Sequence, residues 1–174
     1  MRSGAGRVVH RLVVALTLAA CADRGDAAGA QAAALRYLFR QREQARRLVL
    51  WADAAEPGPV FTAFGARGGR VDAEAGRAIA AAVGVPVARV TAADMTRLFR
   101  EHPDGWAAFY ARYAGAPGLV EVGPVERLGS GAVAVAVGRS CGEHCRNAWR
   151  VQLRPAGGAG AWRATGVRVL RVPE

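Results

Sequence analysis

Apolar and polar positions recur along this chain with two different periods, and the change of period comes near Gly118. Before it, helical spacing dominates. From Ala30 to Arg47, the apolar positions Leu35, Leu38, Phe39 and Ala45 line one helical face, and Val49 continues their direction. Arg36, Arg40, Glu43 and Arg47 take the opposite face, with Glu43 and Arg47 one turn apart as an expected ion pair. Leu48 to Trp51 is a short β-prone run. Glu56-Pro57-Gly58-Pro59 predicts a turn, and the glycine-rich stretch from Phe61 to Arg70 predicts no regular element. Asp72 to Val83 reads as a helix capped by Asp72 and ended by Gly84 and Pro86. Val85 to Val90 is a candidate strand. Thr91 and Asp94 form a capping-box pattern that opens a helix to Glu101. His102-Pro103-Asp104-Gly105 stops it. Trp106, Phe109, Tyr110 and Tyr113 then fall on one stripe of a further helix, at i, i+3, i+4 and i+7.

Beyond Gly118 the period shortens. Four β-prone runs follow: Gly118 to Leu128, Ala132 to Arg139, Asn147 to Arg154 and Trp162 to Val172. Short turn-like separators make an antiparallel meander the simplest pairing. The alternating valines and alanines of Ala132 to Val137 make both faces apolar, which suits a central strand with helices on one side. Trp162 and Ala164 share a parity that Val167 and Val169 do not, so a bulge is expected near Gly166. The fold class is therefore α+β: helices, then a four-stranded antiparallel meander, with additional strands allowed near 48–52 and 85–90. A cone in which a curved sheet cradles a helix is one architecture that fits.

Composition sharpens this only a little. The chain has 174 residues, 52% of them hydrophobic, enough for one domain with a real core. The formal charge of +10 invites a nucleic-acid reading. However, all 24 basic residues are arginine, and no run is longer than Arg46-Arg47, so no basic arm is present. No nucleic-acid partner is expected. A basic surface can still meet anionic lipid headgroups or another polyanion.

The N-terminus changes the picture more. Arg2, Arg7 and Arg11 precede an uncharged apolar run, Leu12 to Ala20, of nine residues. That is too short to cross a bilayer and suits the core of an export signal. Leu18-Ala19-Ala20-Cys21 follows and resembles the lipobox of bacterial lipoproteins. The resemblance implies cleavage before Cys21, which then carries the acyl chains. Several chains on one cysteine hold a protein to the membrane where one does not. The organisation expected is a leader over 1–20, a lipidated tether over 21–30 and one α+β domain over 31–174. Removal of the leader leaves 21 arginines against 14 acids, a formal charge of +7. Ala22, rather than an aspartate, follows the cysteine. In a bacterium with two membranes the resemblance then implies the outer membrane. The competing reading is plain secretion with cleavage after Ala22 or within Ala28 to Ala30.

The later chemistry depends on that export. Cys141 and Cys145 flank Gly142-Glu143-His144 between two β runs. If Cys21 is lipidated, these two remain as a pair in an oxidising compartment, where a structural disulfide is the expected state. A thiol–disulfide oxidoreductase is the alternative. It would need a depressed thiol pKa, usually from C-x-x-C at a helix start, whereas here the spacing is C-x-x-x-C and a strand follows. A metal site of Cys141, His144 and Cys145 lacks a fourth ligand. Glu101, His102 and Asp104 read as helix punctuation rather than as an acid–base cluster. The aromatic stripe is expected to pack on the sheet. Trp106, Tyr110 and Tyr113 are the positions a ligand would meet if the stripe bordered a site. No phosphate loop, zinc-protease helix or nucleophile elbow occurs, and no cofactor is expected.

The order Trp106, Phe109-Tyr110, Tyr113, strand, strand, Cys141-Gly142, Cys145, strand, Trp162 resembles the C-terminal half of a group of uncharacterised bacterial secreted proteins. The resemblance covers about Val85 to Val172 and implies export and this strand order. Arg146 stands where that group has glycine. The reading that results is a membrane-anchored envelope lipoprotein, more a binding or structural module than an enzyme, with an envelope protein or a polyanion as conceivable partner.

Overall fold

The computed structural model describes residues 26–53, 58–69, 71–158 and 160–171. Cys21 and the leader lie outside them. Helix α1 runs over residues 26–42, with π-helical winding from Arg36 to Arg42. It is followed by β1 (Leu48–Trp51), α2 (Pro59–Phe64), α3 (Ala73–Val83) and β2 (Val87–Val90). Next come α4 (Ala92–Glu101), α5 (Gly105–Arg112), β3 (Leu119–Arg127), β4 (Val133–Ser140), β5 (Arg146–Pro155) and β6 (Trp162–Val169).

The fold mixes helix and sheet, but the sheet is not a four-stranded meander. It has six strands in the order β2-β1-β3-β4-β5-β6. β1 pairs in parallel with β2 and with β3, and only the succession β3 to β6 is antiparallel. The short runs at 48–51 and 87–90 are thus the parallel half of one sheet. Parallel strands need long crossovers, and the helices that supply them sit on both faces. α1 and α3 bury Leu35, Leu38, Phe39, Ile79 and Val83 against Leu48, Leu50, Val120, Val135, Val137 and Val151 on one face. α4 and α5 bury Leu98 and Phe109 against Val49, Val90 and Leu119 on the other. Covering both faces rules out the cone and the one-sided helix layer.

Local signals held where the expected partner was near in sequence. Asp72 and Asp104 cap α3 and α5 through the Ala75 and Ala107 N–H, each at 2.9 Å. Thr91 and Asp94 close a complete capping box on α4. The pairing shifts between Gln152 and Leu153, opposite Gly166 and Ala164, which puts Trp162, Ala164, Val167 and Val169 on one face. α1 starts by residue 26, inside the stretch expected to be tether, and stops at Arg42. Glu43 therefore lies beyond the helix. It pairs with Arg139 at 2.6 Å instead of Arg47, and Arg139 in turn lies over the Trp149 ring.

Helix α2 was not expected at all. Its first turn is fixed from sixty residues away, by Glu121 of β3. The Val60 and Phe61 N–H groups donate to the two carboxylate oxygens of Glu121 at 2.8 and 3.0 Å. Those N–H groups have no partner within the helix, so a buried acceptor substitutes for a capping side chain. Gly58 lets the chain pass directly over the carboxyl, where any side chain would collide with it. α2 then lays Val60 and Phe61 over Gly138 of β4, whose lack of a side chain makes the room.

Candidate binding site

On the face carrying α2, α4 and α5, a gap separates α2 from the α4–α5 pair and encloses about 740 Å³. Its floor is a row of three residues side by side across the sheet. Leu119 of β3 is paired with Ser140 of β4, and Ser140 with Arg146 of β5. Trp51 stands at the carboxyl end of β1. Met95, Thr96, Phe99 and Arg100 come from α4 and Trp106 from α5, and Gly142 and Glu143 close the remaining side. The position follows from topology. β1 sits between two parallel partners, with α3 on one face and α4–α5 on the other. Open parallel sheets hold ligands near the carboxyl ends of strands at such a switch point.

The walls divide into an apolar and a cationic part. Phe99, Trp106 and Phe109 form an edge-to-face series with ring centroids 5.5 and 5.3 Å apart. Phe109 is fully buried, while Phe99 is 40% exposed, which is unusual for so large an apolar group. Arg100 and Arg146 flank the gap, and among the described residues neither makes an ion pair. Ser140 is nearly fully buried on the floor, and Glu143 is the acid on the rim. Glu121, two residues along β3 from Leu119, is held above the usual carboxyl range by burial. The Val60 and Phe61 N–H groups and the charge of Arg146 pull it back down.

The cysteine loop is part of this site. Cys141 and Cys145 are joined in a disulfide, with Cα atoms 5.0 Å apart, at the turn from β4 into β5. The Cys141 N–H donates to the Cys145 carbonyl at 2.8 Å, completing the turn. The Tyr110 hydroxyl donates to the Cys141 carbonyl at 3.2 Å, tying α5 to the loop. Burial holds the Tyr110 hydroxyl above its ordinary pKa. Gly118, with φ of 130°, packs against the Ser140–Cys141 backbone where a side chain would not fit. Both cysteines join strands, and neither starts a helix, so no helix terminus acts on their sulfurs. His144 is exposed at the tip. Cys141, His144 and Cys145 do not make a metal-holding group, because the two sulfurs are bonded to each other.

Of the aromatic stripe, Trp106 alone borders the gap. Tyr113 packs in the core beside Phe109, their centroids 5.1 Å apart, and Tyr110 is engaged with the loop. Glu101, His102 and Asp104 come together only around the α4–α5 break, where Asp104 caps. Trp51, Met95, Phe99, Arg100 and Arg146 escaped sequence reasoning. One signal was available. Ala92, Met95, Thr96, Phe99 and Arg100 make a second stripe along α4, apart from the core position Leu98.

A cavity of about 800 Å³ lies at the other end of the sheet, bordered by Asp26, Val125, Leu128, Val133, Pro155, Ala161 and Trp162. It is larger and built mostly from small apolar and loop residues, with Asp26, Arg127 and the buried Trp162 indole N–H as its polar groups. The gap at α4 carries the better-differentiated chemistry. No protein-family model, curated protein or solved structure matches the chain.

Proposed function

We propose that the protein is an exported bacterial lipoprotein, anchored through Cys21 and akin to the uncharacterised secreted group its C-terminal half resembles. Its domain is a binding module and the gap between α2 and α4 is the ligand site. One observation carries the binding reading: the half-exposed Phe99 and Trp106 stand in one cavity with Arg100 and Arg146. The ligand class that matches is a small molecule with a flat or aliphatic apolar body and one anionic group. The aromatic wall takes the body, and the two guanidinium groups take the anion in charge-assisted hydrogen bonds. The disulfide braces the wall formed by Gly142 and Glu143.

Titration with 8-anilinonaphthalene-1-sulfonate, an aromatic body with one sulfonate, tests the site. Saturable binding at one site is expected, reported by quenching of tryptophan fluorescence. Phe99→Ala and Arg100→Ala should each weaken it about tenfold, the worth of a good apolar or charged contact. Binding unchanged in both variants refutes the assignment. Mass spectrometry of the mature N-terminus tests the anchor: a start other than an acylated Cys21 refutes it.

A further inference from the structure

The other half of the sheet leaves one face open, and what stands on it costs stability. Arg150 of β5 lies directly opposite Arg168 of β6, and Arg154 directly opposite Arg163. Like charges at directly opposed positions of an antiparallel pair repel. All four point to the face that α2 covers only as far as Gly138 and Ala148. Arg154, Arg163 and Arg168 are exposed, and among the described residues no helix lies over them. Glu126 also stands on this face, and it binds Arg150 at 2.7 Å. At Gly166 the bulge and the missing side chain leave a depression of about 180 Å³, walled by Arg150, Gln152 and Arg168. It has room for a single phosphate group.

Glu126 answers Arg150 alone, and among the described residues no acid pairs with Arg154, Arg163 or Arg168, so their repulsion is relieved only if something anionic covers them. We infer that this face of β5 and β6 is a membrane-docking surface that lies on anionic phospholipid headgroups. The position of Asp26, in the first described turn of α1, favours a bilayer over another polyanion. Asp26 and Ala27 border the same cavity as Pro155 and Trp162, which puts the start of the described α1 at the β5–β6 turn end of the sheet, on the face opposite Arg154 and Arg163. Gly29 lies against the Gly160 carbonyl in the β5–β6 turn. Cys21 is five residues upstream of Asp26, at most ~18 Å of extended chain. An acyl anchor there holds the β5–β6 end at the bilayer. Only the choice of a bilayer rests on the anchor reading.

The test uses the full chain carrying Cys21→Ala, so that no acyl group contributes. Sedimentation is measured with phosphatidylcholine vesicles and with vesicles that also contain phosphatidylglycerol. Binding should require the anionic lipid and fall steeply with salt. Combining Arg154→Gln, Arg163→Gln and Arg168→Gln should weaken it about a hundredfold, at roughly one arginine's surface attraction each. The same charge removed by Arg36→Gln, Arg77→Gln and Arg97→Gln on the helices should weaken it much less. The triple β-face variant should melt no lower than the parent, since it relieves repulsion. If it does unfold, Arg168→Gln alone should still weaken binding about fivefold. Equal losses from the two triple variants overturn the inference, as does equal binding to both kinds of vesicle. Binding to an acidic polysaccharide but not to anionic vesicles overturns the choice of a bilayer. An unacylated mature N-terminus would refute the anchor while leaving the vesicle result standing.

Discussion

The two halves of the sheet solve burial differently. β2, β1 and the start of β3 are covered on both faces, so Leu48, Val49 and Leu50 are all fully buried in succession. β5 is covered on one face along its second half, where its residues alternate, with Val151 and Leu153 inside and Gln152 and Arg154 outside, and β6 is an edge strand whose Val167 and Val169 are exposed. The covered half commits most of its side chains to packing, and the gap described above lies where two groups of helices fail to meet. The open half has much of one face free, and that part carries charge. The proposed ligand site borders the covered half, and the proposed docking surface lies on the open one. Truncating a core side chain in the first should therefore cost stability, whereas removing charge from the second should cost vesicle binding and leave stability intact.

The largest effect is expected from Phe109→Ala. Phe109 is fully buried among Trp106, Tyr110 and Tyr113, and its removal should cost about 3–5 kcal/mol in urea unfolding. Val169→Ala, at a residue 63% exposed on β6, should fall within about 0.5 kcal/mol of the parent. Equal costs would abolish the distinction between the halves.

Glu121→Ala should follow at about 3 kcal/mol, because it strands two buried N–H groups at the start of α2. Glu121→Gln sharpens this through pH. Burial raises the folded-state pKa of Glu121. Its contribution is thus fullest below the unfolded carboxyl value and is lost as pH rises through the folded one. The stability of the parent relative to Glu121→Gln should fall as pH rises from 4 toward neutrality. The fall should be about 1.4 kcal/mol for each tenfold by which folding tightens the carboxyl's hold on its proton. A flat difference across that range would mean the carboxyl feels no net burial.

Cys141→Ser should cost about 2 kcal/mol, the chain-entropy value of so short a loop. It should slacken the wall of the ligand site without touching vesicle binding. Turnover of a dithiol substrate that disappears in this variant would support the oxidoreductase alternative. The smallest effect should be a gain. Arg168→Thr removes one opposed pair and should add a few tenths of a kcal/mol, up to about 1, checked by thermal melting. A loss there would mean that the guanidinium is supported by contacts within the domain.

Much of the fold was legible because its determinants are local. Asp72, Thr91 with Asp94, and Asp104 each cap a helix within three residues of themselves. The bulge at Gly166 showed in the parity of Trp162 against Val167. What escaped depends on residues far apart. β1 and β2 are too short to show a partner or a direction. Glu121 sits in the apolar run Leu119-Val120-Glu121-Val122 and gave no sign that it would cap a helix. Glu43 had a neighbour at the right helical spacing, yet its partner lies 96 residues away. The site was half legible. The disulfide was expected from the cysteine count and an assumed export, whereas Arg100 and Arg146 meet only through the fold. The opposed arginines needed the β5–β6 register, which the bulge shifts.

The parallel pairing of β1 with β3 also orders the assembly of the molecule in time. Val49 and Leu50 meet Leu119 and Val120, and Val60 waits for Glu121. A chain growing from its N-terminus can wind α1, α3, α4 and α5, but it has no central strand to lay them on until β3 is made. The hairpins from β3 to β6 then close through short connections, the fast kind of contact. The last-made third of the chain is therefore the template for the first, and a truncation that removes β3 and everything after it should leave the N-terminal helices without a central strand to pack against.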